Sequence, residues 1–329
     1  MKKLLALILT GVLLVGVLAS CGTGDSGDTK DMKKIGILQI SDHASLNTIK
    51  DSTIKRLEEL GYVDGKTAKI EAVSAQGEAT NVTTILNGFV ADNKDIIIAI
   101  TTPVASSALN IANEIPVIFS AVSDPISAGL TTSIEKPDKN ITGTSDAVPV
   151  DKIIDMALKT KPNIKTLGVM YNNGEASSVA NIKLAKEYCN TKGIKVIEAP
   201  VTTSSEVQQA SASLVTKVDA IFVPTDNTVA DAMSVLAQTA IDAKIPVYVG
   251  ADSMVADGGF ATIGIKYEDL GIETANIADK VLKGTKVAEI PIKVFEDLST
   301  YINENTAKAI GITIPQDIMD NEKTVIIAK

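Results

Sequence analysis

Short runs of β-branched and other apolar residues alternate along the chain with longer segments in which apolar positions recur at helical spacing. The runs at 34–38, 95–101 and 115–121 have the length of buried strands. Polar, turn-forming residues follow these runs, and segments with the pattern of amphipathic helices come next. This alternation is typical of βαβ units, so it predicts an α/β protein with parallel sheets flanked by helices.

The same order of segments occurs twice. The paired runs are 34–38 with 166–170, 95–101 with 219–225, and 115–121 with 245–251. From Gly36 to Ile115 the separation is 79 positions, and from Gly168 to Ile245 it is 77. This agreement predicts two Rossmann-like lobes of similar fold. A coincidence between common α/β patterns is the alternative interpretation, although such patterns share texture without sharing spacing.

Three segments are expected to cross between the lobes and to form a hinge, near 141–149, 256–264 and 293–301. The predicted division assigns 33–145 and 258–292 to the first lobe, and 146–257 and 293–329 to the second. Open parallel sheets bind ligands beyond the carboxyl ends of their strands. We therefore expect both lobes to direct those ends into a shared cleft.

The N-terminus has a different pattern. Met1 is followed by Lys2 and Lys3, then by a largely apolar run from Leu4 to Leu18 and by small residues. A basic end, about 15 apolar residues and small residues before a cleavage site are typical of a signal peptide, here predicted over 1–20. An uncleaved membrane anchor is the alternative. The polar, glycine-rich segment that follows predicts a flexible tether over 21–34.

Composition narrows the range of functions. The chain has 329 residues, of which 45% are hydrophobic, so it has ample material for a core. It has 31 Lys and Arg against 40 Asp and Glu, a net charge of −9. Nucleic-acid binding requires clustered basic residues, which are scattered here among more numerous acidic ones, so no nucleic-acid partner is expected.

Polar side chains follow the predicted strands of both repeats. Thr102 suits the N-cap of a helix and Pro103 its first turn, so free backbone N–H groups and two hydroxyls could bind a carboxylate. Capping without a ligand is the alternative. Asp226 and Asp252 could pair with an ammonium group, and the whole set suits a small zwitterion. The candidate ligand-binding residues are Ser41, His43, Thr101, Thr102, Ser120, Ala121, Ser123, Asp124, Tyr171, Asn172, Thr225, Asp226, Asn227 and Asp252.

Catalysis has little support in the sequence. His43 is the single histidine, and no Gly-x-Ser-x-Gly motif is present. One His and one internal Cys, Cys189, cannot supply the usual ligand sets of a zinc site. We therefore expect no enzyme activity, no cofactor and no metal. His43 suits either contact with a ligand or a structural role.

Several motifs carry a resemblance to a known family. The segment Leu18-Ala-Ser-Cys21 resembles the bacterial lipobox, which implies lipidation of Cys21. From Ile35 to about Asp320, the chain resembles the substrate-binding lipoproteins of ABC importers, in the group associated with tryptophan and tyrosine uptake. The resemblance depends on the order of short motifs at 35–40 with His43, 121–125, 140–143, 168–172 with Glu175, 250–252 and 264–271.

The resemblance implies a type I periplasmic-binding-protein fold that closes around a small ligand and delivers it to an ABC permease. It also implies an extracytoplasmic location with a lipid anchor in the bacterial cell membrane, and an amino acid as ligand, with aromatic ones favoured. The absence of Trp and the 3% aromatic content limit stacking partners to a few Tyr and Phe. A secreted sensor lipoprotein or a hydrolase of a small polar metabolite is the alternative, and would show a signalling module or turnover.

Overall fold

The computed structural model of the protein describes residues 32–327. The predicted signal peptide over 1–20, the lipidation of Cys21 and nearly all of the predicted tether over 21–34 lie outside these residues. The first strand begins at Lys33, so residues 33 and 34 belong to the first lobe. None of the helices in the described part of the chain is long and apolar enough to span a bilayer.

The described residues form thirteen strands and twelve α-helices. The strands are β1 (Lys33–Gln39), β2 (Ala68–Ser74), β3 (Ile96–Ile100), β4 (Val117–Ser120), β5 (Ile141–Ser145), β6 (Thr166–Asn172), β7 (Lys195–Val201), β8 (Ala220–Val223), β9 (Val247–Val249), β10 (Ala261–Gly264), β11 (Lys293–Val294), β12 (Ser299–Asn303) and β13 (Thr324–Ile327). The helices are α1 (Ala44–Glu59), α2 (Ala79–Ala91), α3 (Thr102–Ala108), α4 (Val150–Thr160), α5 (Ala176–Thr191), α6 (Val207–Leu214), α7 (Asn227–Asp231), α8 (Met233–Asp242), α9 (Asp252–Ala256), α10 (Tyr267–Leu282), α11 (Glu304–Ile310) and α12 (Gln316–Met319).

The strands form two sheets, one in each lobe. The first has the order β11-β5-β4-β3-β1-β2, and the second β13-β12-β10-β9-β8-β6-β7. The run β2-β1-β3-β4-β5 in the first sheet corresponds to β7-β6-β8-β9-β10 in the second, with all of these pairs parallel. The prediction of two parallel-sheet lobes of similar fold is confirmed.

Buried apolar strands form the centre of each lobe. Every side chain of β3, Ile-Ile-Ile-Ala-Ile, is buried, as expected for a parallel strand covered by helices on both faces. In the second lobe, Phe222 of β8 and Tyr248 of β9 are almost fully buried. The Tyr248 ring packs edge-on against Phe260, with ring centroids 5.4 Å apart. These cores hold the ends of the parallel strands in fixed positions.

The boundaries of the lobes differ from the predicted ones at two places. β10 pairs with β9 and with β12, so the segment at 261–264 belongs to the second sheet and not to the first lobe. β11 pairs with β5, so residues 293 and 294 belong to the first sheet. Glycines at 258 and 259 suggested a crossing, but Gly258, with φ 113°, turns the chain from α9 into β10. The chain passes between the sheets at 146–149, 265–266 and 295–298.

Candidate ligand-binding site

A cavity lies between the two lobes, at the carboxyl ends of their parallel strands. Together with its open mouth it contains about 380 Å³ of space that no atom occupies. The residues that line it come from both lobes and from the crossings. They are His43, Ser45, Leu46, Thr101, Thr102, Ala121, Ser123, Asp146, Ser177, Thr225, Asp226, Asn227, Ala230, Ala251, Met254 and Tyr267. The expected position of the site, beyond the strand ends of both sheets, therefore contains a cavity.

Within residues 32–327, three hydrogen bonds join the lobes across the cavity. The shortest links the hydroxyls of Ser45 in α1 and Ser253 in α9, whose Oγ atoms are 2.5 Å apart. His43 Nε2 lies 3.3 Å from Asn227 Oδ1. The hydroxyl oxygens of Ser123 and Thr225 are 3.4 Å apart. The lobes are therefore in a closed arrangement.

The cavity is acidic. Asp146 and Asp226 are 5% and 1% exposed, and the described residues that line the cavity include no Lys or Arg. Ser123 Oγ donates to Asp146 Oδ1 at 3.0 Å, and the Tyr267 hydroxyl donates to Asp146 Oδ2 at 2.9 Å. Burial raises the pKa of Asp146 despite these two hydrogen bonds. A cationic group of a ligand would compensate this buried charge.

Asp226 has a different environment, because it is the N-cap of α7. The backbone N–H of Val229 donates to Asp226 Oδ1 at 2.9 Å, and that of Asn172 donates to Oδ2 at 2.6 Å. A second buried carboxyl, that of Glu175, accepts from Asn227 Nδ2 at 2.6 Å. Burial, and secondarily the charge of Asp226, raises the pKa of Glu175 to about 7. Below about pH 7 the Glu175 carboxyl therefore holds a proton beside the carboxyl of Asp226.

His43 connects the lobes as a neutral imidazole. It precedes α1, and burial lowers its pKa to about 4. Because Asn227 Nδ2 donates to Glu175, Asn227 Oδ1 is free to accept from His43, so Nε2 carries the proton. Nδ1 is then the acceptor nitrogen. It is buried and has no protein partner within residues 32–327, which leaves it available to a donor in the cavity.

Two strand-end residues of the first lobe have unusual backbone angles. Thr101, after β3, has φ 90°, and Ala121, after β4, has φ 55°. A non-glycine residue with positive φ carries strain, which is often found at binding sites. Thr101 Oγ1 is also buried without a protein partner in the described residues. Both residues line the cavity, next to the first turn of α3.

Eight of the predicted residues line the cavity, and three of the other six belong to the first lobe. Ser41 is buried outside the lining. Ser120 is bonded to Thr144 and Thr274 inside the lobe, at 3.2 and 2.9 Å. Asp124 is exposed and accepts from the backbone of Ser127, so it stabilises a turn. The strand-end rule selected these residues, but none of the three lines the cavity.

Three predicted residues of the second lobe also lie outside the lining. The hydroxyl of Tyr171 donates to Glu198 at 2.8 Å, and both residues line a different, more open pocket. The Asn172 side chain donates to Thr228 at 2.7 Å, although its backbone N–H orients Asp226. Asp252 begins α9 beside the lining residue Ala251, and burial raises the pKa of Asp252 to about 6.

Several lining residues were absent from the prediction. Asp146 follows β5 directly, so the strand-end rule applied to that strand would have found it. Tyr267 begins α10 after the second crossing. Ala251 follows β9 and corresponds in the repeat to the predicted Ala121, so the repeat would have found it. No sequence signal separates the remaining ones from ordinary helix or loop residues. These are Ser45, Leu46, Ser177, Ala230 and Met254.

Two α/β lobes of equal strand order, three crossings and a cavity at the strand ends define a binding protein of type I periplasmic fold. The chain belongs to the family of ABC transporter substrate-binding proteins, whose model matches residues 34–326. Members of this family act outside the cytoplasm, bind a small solute and work with an ABC permease. This chain is therefore a solute-binding protein of an ABC transporter.

Relatives of known name cover almost the whole chain. A tyrosine-binding protein of Clostridioides difficile is 39% identical over 94% of this chain and 93% of its own length. A Streptococcus pneumoniae ABC domain in complex with L-Trp is 34% identical, with a TM-score of 0.85 over 90% of this chain and 99% of its own. A conserved domain protein of Vibrio cholerae is 33% identical, with a TM-score of 0.86 over 91% of this chain and 100% of its own.

A fourth relative bears on the arrangement of the lobes. The ligand-free, open structure of a Clostridium difficile substrate-binding protein is 40% identical over 90% of this chain and 99% of its own, but its TM-score is 0.68. The tryptophan-bound relative is less identical and superposes better. The open relative has the higher sequence identity but the lower TM-score. The lobes here are therefore arranged more as in the tryptophan complex. This agrees with the hydrogen bonds that join the lobes.

Proposed function

We propose that the protein captures an aromatic amino acid in the cavity between its lobes and delivers it to an ABC permease, as a lipid-anchored receptor on the outer side of the bacterial cell membrane. The observation that carries the proposal is the composition of the cavity. Two buried carboxylates, Asp146 and Asp226, share it with hydroxyls, apolar side chains and the neutral imidazole of His43, and the described lining residues include no Lys or Arg. Such a lining favours a ligand that brings its own positive charge.

The cavity also offers suitable contacts to the carboxylate and to the side chain of such a ligand. Its carboxylate would face the start of α3, where Thr101 offers a hydroxyl without a protein partner in the described residues and Thr102 offers a second hydroxyl. Its side chain would contact the apolar residues Leu46 and Met254 and the ring of Tyr267. The names of two relatives, a tyrosine-binding protein and a complex with L-Trp, support an aromatic side chain.

Calorimetry of the purified protein tests the ligand class. We expect L-tyrosine or L-tryptophan to bind in the micromolar range or tighter, L-leucine more weakly, and the bound amino acid to be recovered unchanged. Binding of none of the aromatic amino acids would contradict the proposal. Conversion of the bound molecule would favour the hydrolase alternative, in which His43 would be the one available imidazole.

Membrane attachment is tested at Cys21. Two features support it: the lipobox-like segment that ends at Cys21 and the apolar run before it. Cys21→Ala should leave a folded, ligand-binding protein that is released from the membrane or keeps its signal segment, because an acyl chain on Cys21 would no longer be available. Membrane fractionation and intact-mass measurement of variant and parent distinguish the outcomes. A variant that is processed and sediments with membranes like the parent would contradict the lipid anchor.

A further inference from the structure

The two buried carboxylates of the cavity differ in what they can offer a ligand. We propose that Asp146 binds the ammonium group of the ligand and that this contact couples ligand binding to closure of the lobes. The inference rests on the proposed function, because it assumes a ligand with an amino group. Asp146 would then both recognise the ligand and link its binding to closure of the lobes.

The hydrogen-bond partners favour Asp146 over Asp226. Both oxygens of Asp226 accept backbone N–H groups, those of Asn172 and Val229, and such donors cannot turn away. Asp146 instead accepts two hydroxyls, from Ser123 and Tyr267. A hydroxyl can rotate and has acceptor lone pairs of its own, so these groups can adapt when a third donor arrives. Asp146 therefore retains capacity for an ammonium group.

The charge of Asp146 has no compensation within the described protein. No Lys or Arg of residues 32–327 lies within ion-pair distance of its carboxylate. The side chain is 5% exposed in the closed arrangement. Burying an ionised carboxylate without a cationic partner is unfavourable, and burial accordingly raises the pKa of Asp146. An ammonium group in the cavity would remove the cause of this penalty.

The position of Asp146 connects this charge to the hinge. It is the first residue of the first crossing, and its partner Tyr267 begins α10 directly after the second crossing. Its other partner, Ser123 of the first lobe, also lies 3.4 Å from Thr225 of the second. The carboxylate thus joins two crossings and lies beside a contact between the lobes. On this proposal, closure removes the carboxylate from water, so closure is disfavoured without a ligand and favoured when an ammonium group is present.

A comparison of two variants with two kinds of ligand tests the assignment. The variants are Asp146→Asn and, as the matched control, Asp226→Asn. The ligands are L-tryptophan and L-tyrosine, each compared with the same molecule without its amino group, indolepropionate and hydroxyphenylpropionate. Asp146→Asn should weaken binding of the amino acids by roughly 30-fold or more, the range for losing one partner of a buried charge pair. The analogues without an amino group should bind as well as to the parent or better.

Asp226→Asn should weaken the binding of both kinds of ligand by a similar factor, because it disturbs the start of α7 rather than an ammonium contact. The reverse pattern, with selective loss in Asp226→Asn, would overturn the assignment. Equal loss of both ligand kinds in Asp146→Asn would overturn it too. If the parent binds neither amino acid, the proposed function itself fails, which is a different result. Should Asp146→Asn not fold, Asp146→Glu keeps the charge but moves it, and the same selective loss is expected.

Small-angle scattering of the empty proteins gives a second readout. If the charge of Asp146 opposes closure, the empty Asp146→Asn protein should be more compact than the empty parent. Empty Asp226→Asn should not show this shift to the same extent, because its carboxylate is already held by backbone donors. A merely structural role of Asp146 would leave the empty protein unchanged or expanded, and either result would contradict the coupling.

Discussion

The imidazole of His43 is the polar group whose titration most directly affects the contact between the lobes. Its pKa of about 4 lies below the ordinary value of 6.5, because burial disfavours the charged form. The unfolded chain therefore binds the proton more readily, and stability is lost as pH falls from about 6.5 to about 4. In His43→Gln, which can still donate to Asn227, this loss should be smaller by on the order of 3 kcal/mol.

Urea unfolding of parent and His43→Gln at pH 7 and at pH 4 measures the effect. The parent should lose more stability than the variant between the two pH values. The two proteins share all other titrating groups, so their difference isolates His43. Equal losses in the two proteins would show that the imidazole does not control acid stability.

Titration of the Glu175 carboxyl changes stability with pH in the opposite direction. Its pKa of about 7 lies above the ordinary value of 4.5, so the folded protein holds a proton that the unfolded chain has released. Stability is then lost as pH rises from about 4.5 to about 7. Glu175→Gln should therefore gain stability relative to the parent on going from pH 5 to pH 8, in thermal unfolding of the ligand-free proteins. Loss of hydrogen bonds in the amide variant affects its stability at both pH 5 and pH 8. A difference in stability between variant and parent that does not change with pH would therefore contradict this prediction.

At the scale of elements, the contact between α1 and α10 sets the position of the residues that α1 brings to the cavity. Gly271 of α10 lies so close to α1 that a Cβ atom there would overlap the Ser52 side chain and the Ile49 carbonyl oxygen. Because a backbone carbonyl cannot turn aside, Gly271→Ala should push the helices apart and destabilise the protein by about 1–3 kcal/mol. Ligand affinity should also fall, since the same helix carries Ser45 and Leu46 into the cavity.

Gly88→Ala on α2 is the matched control, because no heavy atom lies within 4 Å of its added Cβ. This change should stabilise the protein by roughly 0.5–1 kcal/mol, as Ala does relative to Gly inside a helix. Chemical unfolding and calorimetry of both variants give the comparison. If Gly271→Ala behaves like Gly88→Ala, the two helices can separate without cost, and the close contact does not determine the site.

At the scale of the whole molecule, the contact between Ser45 and Ser253 offers a way to hold the lobes together. Their Oγ atoms are 2.5 Å apart across the cavity, so cysteines at both positions would be near disulfide distance in the closed arrangement. Oxidised Ser45→Cys/Ser253→Cys should release a bound amino acid at least about tenfold more slowly than the parent, because release requires opening. Reduction should restore the parental rate.

The two single cysteine variants are the controls, and both should release ligand at the parental rate with or without oxidant. The native Cys189 is fully buried, so it should not take part in the new disulfide. Stopped-flow measurement of ligand release follows all four proteins. Unchanged release from a fully oxidised double variant would mean that ligand leaves without separation of the lobes at this contact.

Much of the architecture follows from local patterns. The apolar runs at 95–101 and 115–121 and their repeats near 219 and 245 correspond to β3, β4, β8 and β9, because a buried strand needs consecutive apolar residues. The polar residues after those strands, such as Thr101 and Asp226, line the cavity for the same reason: chain direction in a parallel sheet carries all strand ends to one edge. The fold and the position of the cavity between the lobes could therefore be predicted from the sequence.

Tertiary structure alone decided the details that distinguish one side chain from its neighbour. Asp226 and Asp146 both follow strands, so the sequence does not distinguish them. In the folded protein, backbone N–H groups donate to Asp226, whereas rotatable hydroxyls donate to Asp146. The assignment of β10 to the second sheet also depended on its pairing with the distant β12. These outcomes depend on contacts between residues far apart in the chain, whereas the sequence pattern reports the local periodicity of each segment and the order in which segments follow one another.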